Sequence, residues 1–207
     1  MIYIFDYDGT LVDSMPVFAQ TMIRIFEEHQ LPYPDDFIKI ITPLGYKGTA
    51  KYAIAQGFLL TEEAFVEQAT AYNTEAYHHT IPLKNGVKEK LLLLKSRGDS
   101  LNVLTASPHC VLDACLKRVG IYHLFDNIWS CEDFGRTKSE PEIYREAAER
   151  LGVPVDSCVF VDDNIEAIRT AQLSGMCAVG VFDPSSEDFV EAMQQTADRY
   201  IRSFDEL

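Results

Sequence analysis

Long apolar runs and a basic leader are both missing from this sequence of 207 residues. The longest apolar runs, such as residues 91–94, are far shorter than the roughly 20 residues that a membrane-spanning helix needs. Residues 1–6 contain no basic segment followed by an apolar stretch, so they do not predict a signal peptide. We therefore expect a cytoplasmic protein with no membrane partner.

Cysteine is scarce, and its spacing predicts no disulfide framework. Five cysteines are present, an odd number, and no two of them are spaced as Cys-x-x-Cys. A structural zinc site or a redox pair is therefore not expected. Because Cys110, Cys115, Cys158 and Cys177 have apolar neighbours in the sequence, we expect them to be small buried hydrophobic residues.

Positive charge is also in short supply. Eighteen Lys and Arg residues stand against 32 Asp and Glu residues, which gives a net charge of −14. Such a chain repels nucleic acid polymers and acidic membrane surfaces. A small phosphorylated metabolite remains a possible substrate if a metal ion and a few cations make its pocket locally positive. No segment of the sequence implies a protein partner.

Apolar, β-prone runs alternate with helical patterns along most of the chain. The predicted strands are residues 2–5, 101–104, 128–130, 158–161, 178–182 and 200–201. Three of the helices between them have terminal signals. Ser107 and Pro108 open one, Ser139 and Glu142 form a capping box for another, and a third runs from Asn164 to Ser174. This alternation predicts an α/β fold with a mostly parallel sheet covered on both faces.

Residues 15–81 break the alternation. Helical stretches are predicted there over 16–29, 48–57 and 61–79, with no convincing strand between them. The length and the 47% hydrophobic content allow one domain with an insertion, or two small domains. We predict an α/β core formed by residues 1–14 and 82–207 and a helical insertion over residues 15–81.

The first strand ends in Asp6-Tyr7-Asp8-Gly9-Thr10-Leu11. Two carboxylates two residues apart at the carboxyl end of a strand can face one cavity once the chain leaves the strand. Gly9 allows the backbone to turn sharply at that point. The alternative is an ordinary turn with two solvated acids.

Three further signals lie at or after the ends of later strands, where open α/β sheets bind their ligands. Thr105 ends a strand and offers a hydroxyl group to a phosphate. Lys138 precedes a predicted helix and adds an ammonium group. Asp162 and Asp163 end another strand, and their carboxylates suit a hard divalent ion. Each alone has an ordinary explanation: a strand-end hydroxyl, a surface lysine or a helix cap.

Together these segments identify a family. The chain resembles the haloacid dehalogenase superfamily, in the group of phosphoglycolate phosphatases and β-phosphoglucomutases with a helical cap. The resemblance covers nearly the whole chain, and the matching segments are FDYDGTLVDS at 5–14, LNVLTAS at 101–107, TKSEPEIY at 137–144 and VFVDDNIEAIRTAQLSGM at 159–176. It implies a Rossmann-like parallel sheet core with an inserted α-helical cap domain, here residues 15–81.

The resemblance also implies roles for individual residues in a phosphoric monoester hydrolase. Asp6 is expected to attack phosphorus and form an aspartyl-phosphate, while Asp8 protonates the leaving oxygen and then activates water. Thr105 and Lys138 are expected to bind the substrate phosphate. Mg²⁺ is the implied cofactor, with Asp6, Asp163 and the main-chain carbonyl of Asp8 as its ligands.

The sequence departs from the family pattern near the expected metal. Asp162 stands where a glycine is common, and we expect it to support Asp163 rather than bind the ion itself. A later Asp found in the glycine variant would fall at Ala167, so Glu166 or water is left to take its place.

The alternatives to a phosphatase remain open at this point. A phosphosugar mutase would use the same core, and an inactive relative would only bind a phosphorylated ligand. A dehalogenase is disfavoured because that branch has no acid at the position of Asp8. For the substrate, Lys47 and Lys51 either reach toward an anionic leaving group or are solvated helix lysines.

Overall fold

The computed structural model describes residues 1–207, with the surroundings of Pro43 and Gly45 left out. The chain divides into two compact units. One is formed by Met1–Asp13 with Pro82–Leu207, and the other by Ser14–Ile81. The boundaries that we predicted from the sequence, at 14/15 and 81/82, differ from this division only in the assignment of Ser14.

The first unit, which we call the core unit, contains one six-stranded sheet in which every pair of neighbouring strands is parallel. The strand order is β3-β2-β1-β4-β5-β6. The strands are β1 Ile2–Phe5, β2 Ser100–Thr105, β3 Asn127–Ser130, β4 Cys158–Asp162, β5 Cys177–Val181 and β6 Arg199–Ile201. β1 and β4 are apolar almost throughout because strands of a parallel sheet are buried on both faces.

Five α-helices of the core unit connect these strands. They are α5 Val87–Ser96, α6 His109–Arg118, α7 Pro141–Leu151, α8 Ile165–Ser174 and α9 Val190–Thr196. One hydrophobic cluster joins the inner faces of α7 and α8 to the sheet, and it includes Ile4, Phe160, Tyr144 and Ile168, all fully buried. This packing fixes the carboxyl end of β4, where two of the candidate site residues lie.

The second unit, the helical unit, contains four α-helices. They are α1 Met15–Glu28, α2 Phe37–Ile41, α3 Gly45–Ala55 and α4 Glu62–His79. Its core is largely aromatic, with the fully buried Phe26 close to Phe37 and Phe65. Inside this core Thr21 donates a hydrogen bond of 2.5 Å to the Asn73 side chain. The sequence prediction located three of these helices and missed the short α2.

Two of the predicted helix starts are wrong. Helix α7 begins at Pro141 and not at Ser139, because a residue before proline is driven out of the helical conformation, and Glu140 is extended at φ −110°, ψ 117°. Helix α6 begins at His109, since Pro108 is extended and is itself the N-cap residue. The hydroxyl of Ser107 is thus one residue too early to cap α6.

The cysteine prediction is wrong at two of its four positions. Cys115 and Cys158 are buried, whereas Cys110 and Cys177 are exposed. Cys110 lies on the outer side of α6, whose inner side is filled by Val111, Leu112, Cys115 and Leu116. Cys177 is the first residue of β5, before the strand enters the core. Across the described residues, we find no helix with both the length and the apolar character needed to cross a bilayer.

Candidate active site

The candidate site residues converge because of the strand order. β1 lies between β2 and β4, and parallel strands end at the same edge of the sheet. Asp6 directly follows β1, Thr105 is the last residue of β2, and Asp162 is the last residue of β4. Apart from Lys138, the candidate catalytic and binding residues therefore come from three adjacent strand ends, as ligand sites of open α/β sheets do.

Lys138 lies against the first of these acids. Its Nζ donates hydrogen bonds of 2.5 Å to Asp6 Oδ1 and 2.8 Å to Asp162 Oδ2. Lys138 lies in the turn before α7, and the buried Tyr144 hydroxyl holds its main-chain carbonyl at 2.9 Å. Burial disfavours the ammonium form, but the Asp162 and Asp6 carboxylates outweigh it and hold the pKa of Lys138 well above its usual value. The lysine is therefore charged at neutral pH.

Asp163 is held by the loop that follows β1. Its main-chain N–H donates to Thr10 Oγ1 at 3.1 Å, and the Thr10 hydroxyl donates to Asp163 Oδ1 at 3.1 Å. Gly9, at φ +74°, makes this approach possible, because a Cβ atom there would lie 2.6 Å from Asp163 Oδ2. Gly9 and Thr10 of the first motif thus hold Asp163 of the last motif in place.

Three buried carboxylates form a cluster that can hold a metal ion. Asp6, Asp162 and Asp163 each offer an oxygen, and these oxygens all lie within 4.8 Å of one another. Asp162 Oδ1 also accepts the main-chain N–H of Asn164 at 2.7 Å. Asp162, which we expected only to support Asp163, is itself a member of this cluster.

The charge in this cluster is only partly balanced by the protein. Burial, together with the carboxylates of Asp162 and Asp8, raises the pKa of Asp6 to about 7 even though Lys138 acts in the opposite direction. Burial and the carboxylates of Asp162, Asp6 and Asp183 likewise hold the pKa of Asp163 well above its usual range. A bound cation would stabilise the ionised form of both acids.

Asp8 and Thr105 are connected through Ser107. The Ser107 hydroxyl donates a hydrogen bond of 2.5 Å to Asp8 Oδ2, and its main-chain N–H donates one of 3.0 Å to Thr105 Oγ1. We had expected Ser107 to open the helix that follows it, and these contacts were not predicted. A serine two residues after a strand-end threonine carries no signal that would distinguish the two roles.

Lys84, with its side chain 16% exposed, is a second largely enclosed lysine, which no pattern in the sequence singled out. Its Nζ donates to the carbonyl oxygens of Gly9 and Phe182 at 2.6 and 2.7 Å, and to Asp183 Oδ2 at 3.0 Å. Asp183 is 1% exposed. The positive charge of Lys84 also counteracts part of the rise in the pKa of Asp163. These contacts join the loop after β1 to the end of β5.

Other residues considered from the sequence have surroundings of their own. Glu166 points to solvent with its side chain 70% exposed, and its carboxylate pairs with Arg169 at 2.6 Å. The candidate substitute for the missing aspartate is therefore engaged outside the carboxylate cluster. Lys47 and Lys51 are exposed residues of α3 in the helical unit.

Comparison with known proteins places this chain in a family. The family model of haloacid dehalogenase-like hydrolases matches residues 1–175. Hexitol phosphatase B of Escherichia coli (strain K12) is 26% identical over 199 residues, covering 89% of this chain and 85% of that protein. Phosphoglycolate phosphatase of Colwellia psychrerythraea is 25% identical over 188 residues, covering 87% of this chain and 83% of that protein.

The fold has equally clear relatives among solved structures. The crystal structure of CbbY from Rhodobacter sphaeroides in complex with phosphate aligns with a TM-score of 0.80 at 21% identity, covering 100% of this chain and 95% of that chain. This likeness concerns the fold.

The chain belongs to the haloacid dehalogenase-like hydrolases. The predicted group, the parallel α/β core and the enzyme class of a phosphoric monoester hydrolase are confirmed.

Proposed function

We propose that this chain hydrolyses a small phosphorylated metabolite in a Mg²⁺-dependent reaction that passes through a phosphoaspartyl intermediate on Asp6. The observation that carries the proposal is the 2.5 Å contact of Lys138 Nζ with Asp6 Oδ1, beside the buried carboxylates of Asp162 and Asp163. A carboxylate approaches a dianionic phosphate only where positive charge offsets the repulsion.

The residues present fit a divalent oxygen-binding cation. Three buried carboxylates lie close together, and the pKa values of Asp6 and Asp163 are raised by burial and by neighbouring negative charge. Asp6, Asp163 and the Asp8 carbonyl would hold Mg²⁺, and Asp162 is close enough to join them. When bound, the ion supplies positive charge that reduces the repulsion between the site and the phosphate.

In the first half of the reaction, a carboxylate oxygen of Asp6 forms a bond to phosphorus as the bond to the leaving oxygen breaks. Asp8 gives its proton to that oxygen, so the product leaves as an alcohol. The ammonium group of Lys138 and the hydroxyl group of Thr105 contact the phosphoryl oxygens and orient them. In the second half, Asp8 takes a proton from water as the water attacks phosphorus, which releases phosphate and restores Asp6.

We further propose that the helical unit is the cap that selects the substrate. The family resemblance and the separation of Ser14–Ile81 as a compact unit support this role. Hexitol phosphates and phosphoglycolate are the substrate classes that the relatives' names suggest for a first assay.

The test is a phosphate-release screen over sugar phosphates, nucleotides and phosphoglycolate, with Mg²⁺ present. We expect turnover of at least one phosphomonoester and none with Asp6→Asn, because an amide does not form the phosphoenzyme. The matched control is Asp156→Asn, which changes an exposed acid in the turn Val155–Ser157 and should keep full activity. Absence of turnover on every substrate, or turnover by Asp6→Asn with deamidation excluded, would refute the proposal.

A further inference from the structure

Ser107 makes two hydrogen bonds, one to each of two proposed active-site residues. Its hydroxyl donates to Asp8 Oδ2 at 2.5 Å, and its main-chain N–H donates to Thr105 Oγ1 at 3.0 Å. Asp8 follows β1 and Ser107 follows β2, and the two residues are 99 positions apart in the sequence. Ser107 therefore connects the loops at two neighbouring strand ends.

The local backbone prevents the role that a serine commonly plays at this place. Pro108 has φ −73° and ψ 153°, so the N-cap position of α6 belongs to Pro108. The Ser107 hydroxyl is directed to a carboxylate across the site instead of to the N–H groups of its own helix.

The hydrogen bond between Ser107 and Asp8 is compatible with both protonation states that the proposed reaction requires of Asp8. The hydroxyl can donate to an ionised carboxylate and accept from a protonated one, so the contact can hold Asp8 both before and after it gives up its proton. A hydrogen bond to one oxygen also fixes the rotation of the carboxyl group, and proton transfer needs the acid within hydrogen-bond reach of the leaving oxygen. The hydrogen bond from Ser107 N–H to Thr105 Oγ1 likewise restricts the orientation of the Thr105 hydroxyl group, because it occupies one lone pair of that oxygen.

We infer that Ser107 is a positioning residue for Asp8, which fixes the rotation of the carboxyl group that exchanges a proton with the leaving group and with water. The inference rests on the proposed function, in which Asp8 is the general acid and base. Ser107 itself contacts no reacting atom in this scheme.

The experiment compares two esters that differ in their need for the proton. An alkyl phosphate requires protonation of its leaving oxygen, whereas a nitrophenyl phosphate leaves readily without it. Ser107→Ala should lose about 10- to 100-fold in kcat on the alkyl ester, the loss expected for a hydrogen bond to a charged group. On the nitrophenyl ester it should lose less than about threefold. Ser107→Thr, which keeps the hydroxyl, should recover most of the alkyl activity.

A double-mutant cycle shows whether Ser107 acts through Asp8. In an Asp8→Asn background, Ser107→Ala should cause no further loss on the alkyl ester. The matched control is Ser174→Ala, which removes a buried hydroxyl that donates to Ala171 O at 2.6 Å in α8, and it should leave both rates unchanged. Melting temperatures of all variants exclude a general loss of folding.

The outcomes separate this inference from the function on which it depends. Suppose that the wild type hydrolyses both esters and that Asp8→Asn loses activity selectively on the alkyl ester. Equal losses on both esters for Ser107→Ala, no loss at all, or losses fully additive with Asp8→Asn would then overturn the role of Ser107 but leave the proposed function standing. If the wild type hydrolyses neither ester, or Asp8→Asn loses both equally, the proposed function fails and the inference falls with it.

Discussion

Replacing Lys84 by methionine tests how far a single buried ion pair holds the core unit together. The Lys84 ammonium contacts Gly9 O, Phe182 O and Asp183 Oδ2 within 3.0 Å. Methionine has a similar length but no charge and no donor. The substitution therefore leaves the Asp183 carboxylate, which is 1% exposed, without its cation.

The expected cost follows from that burial. Breaking a buried pair by removing one partner costs about 3–5 kcal/mol, because the remaining charge stays desolvated. Lys84 is itself only 16% exposed, so solvent screens the pair little. For a protein of this size the loss corresponds to a fall in melting temperature of about 6–20 °C.

The single tryptophan of the chain makes the measurement specific to the core unit. Trp129 lies on β3 and packs against the core cluster, edge-on to Phe134. Its fluorescence during urea unfolding therefore reports the core unit, and the change in midpoint gives the loss of unfolding free energy.

Two control variants show whether the charge is responsible. Lys95→Met removes a surface pair with Asp126, whose partners are 34% and 44% exposed, and should cost less than about 1 kcal/mol. The double variant Lys84→Met with Asp183→Asn removes both charges and should recover most of the loss. If Lys84→Met is no worse than Lys95→Met, the buried-pair reasoning is wrong. A double variant as unstable as the single one would assign the loss to the two carbonyl contacts.

Three further predictions concern the carboxylates. Asp8→Asn should lose about 10²- to 10⁴-fold on alkyl phosphates and much less on a nitrophenyl phosphate, in parallel rate measurements; equal losses would exclude it as the general acid. Excess chelator should abolish phosphate release, and added Mg²⁺ should restore it, whereas full turnover in chelator would contradict the metal requirement. The pKa of Asp6 is raised from its usual 3.8 to about 7. Without metal, protonation of Asp6 therefore stabilises the fold; this contribution is complete below about pH 4 and is lost as the pH rises through about 7. In chelator, Asp6→Asn should therefore melt higher than the wild type at pH 8, with a gap that closes toward pH 4, and a gap independent of pH would contradict the raised pKa.

The strands could be predicted from the sequence because burial on both faces of a parallel sheet requires a continuous run of apolar residues, which is a local pattern. β1 and β4 are buried on both faces and so appear as continuous apolar runs. Once their order along one edge is assumed, the positions of Asp6, Thr105 and Asp163 near one another follow from the strand ends. The roles that we assigned to these residues remain predictions.

The contacts between loops could not be predicted. Lys84 reaches Gly9 across 75 residues and Ser107 reaches Asp8 across 99, and neither contact leaves a periodicity or a turn signal. Local signals also misled where two of them competed. Ser139 and Glu142 have capping-box spacing, but Pro141 forces Glu140 to be extended, and the steric restriction prevails over the cap.

The central place of β1 in the sheet has a consequence for how the enzyme is made. Of the six strands of this sheet β1 is synthesised first, yet its second neighbour, β4, begins about 155 residues later. At usual rates of synthesis this delay lasts roughly 8 to 30 s. During that time Asp6 has neither Lys138 nor Asp163 beside it, since both are encoded far downstream. We therefore expect a nascent chain that ends before β4 to lack the proposed metal and phosphate site, however well its earlier helices have formed.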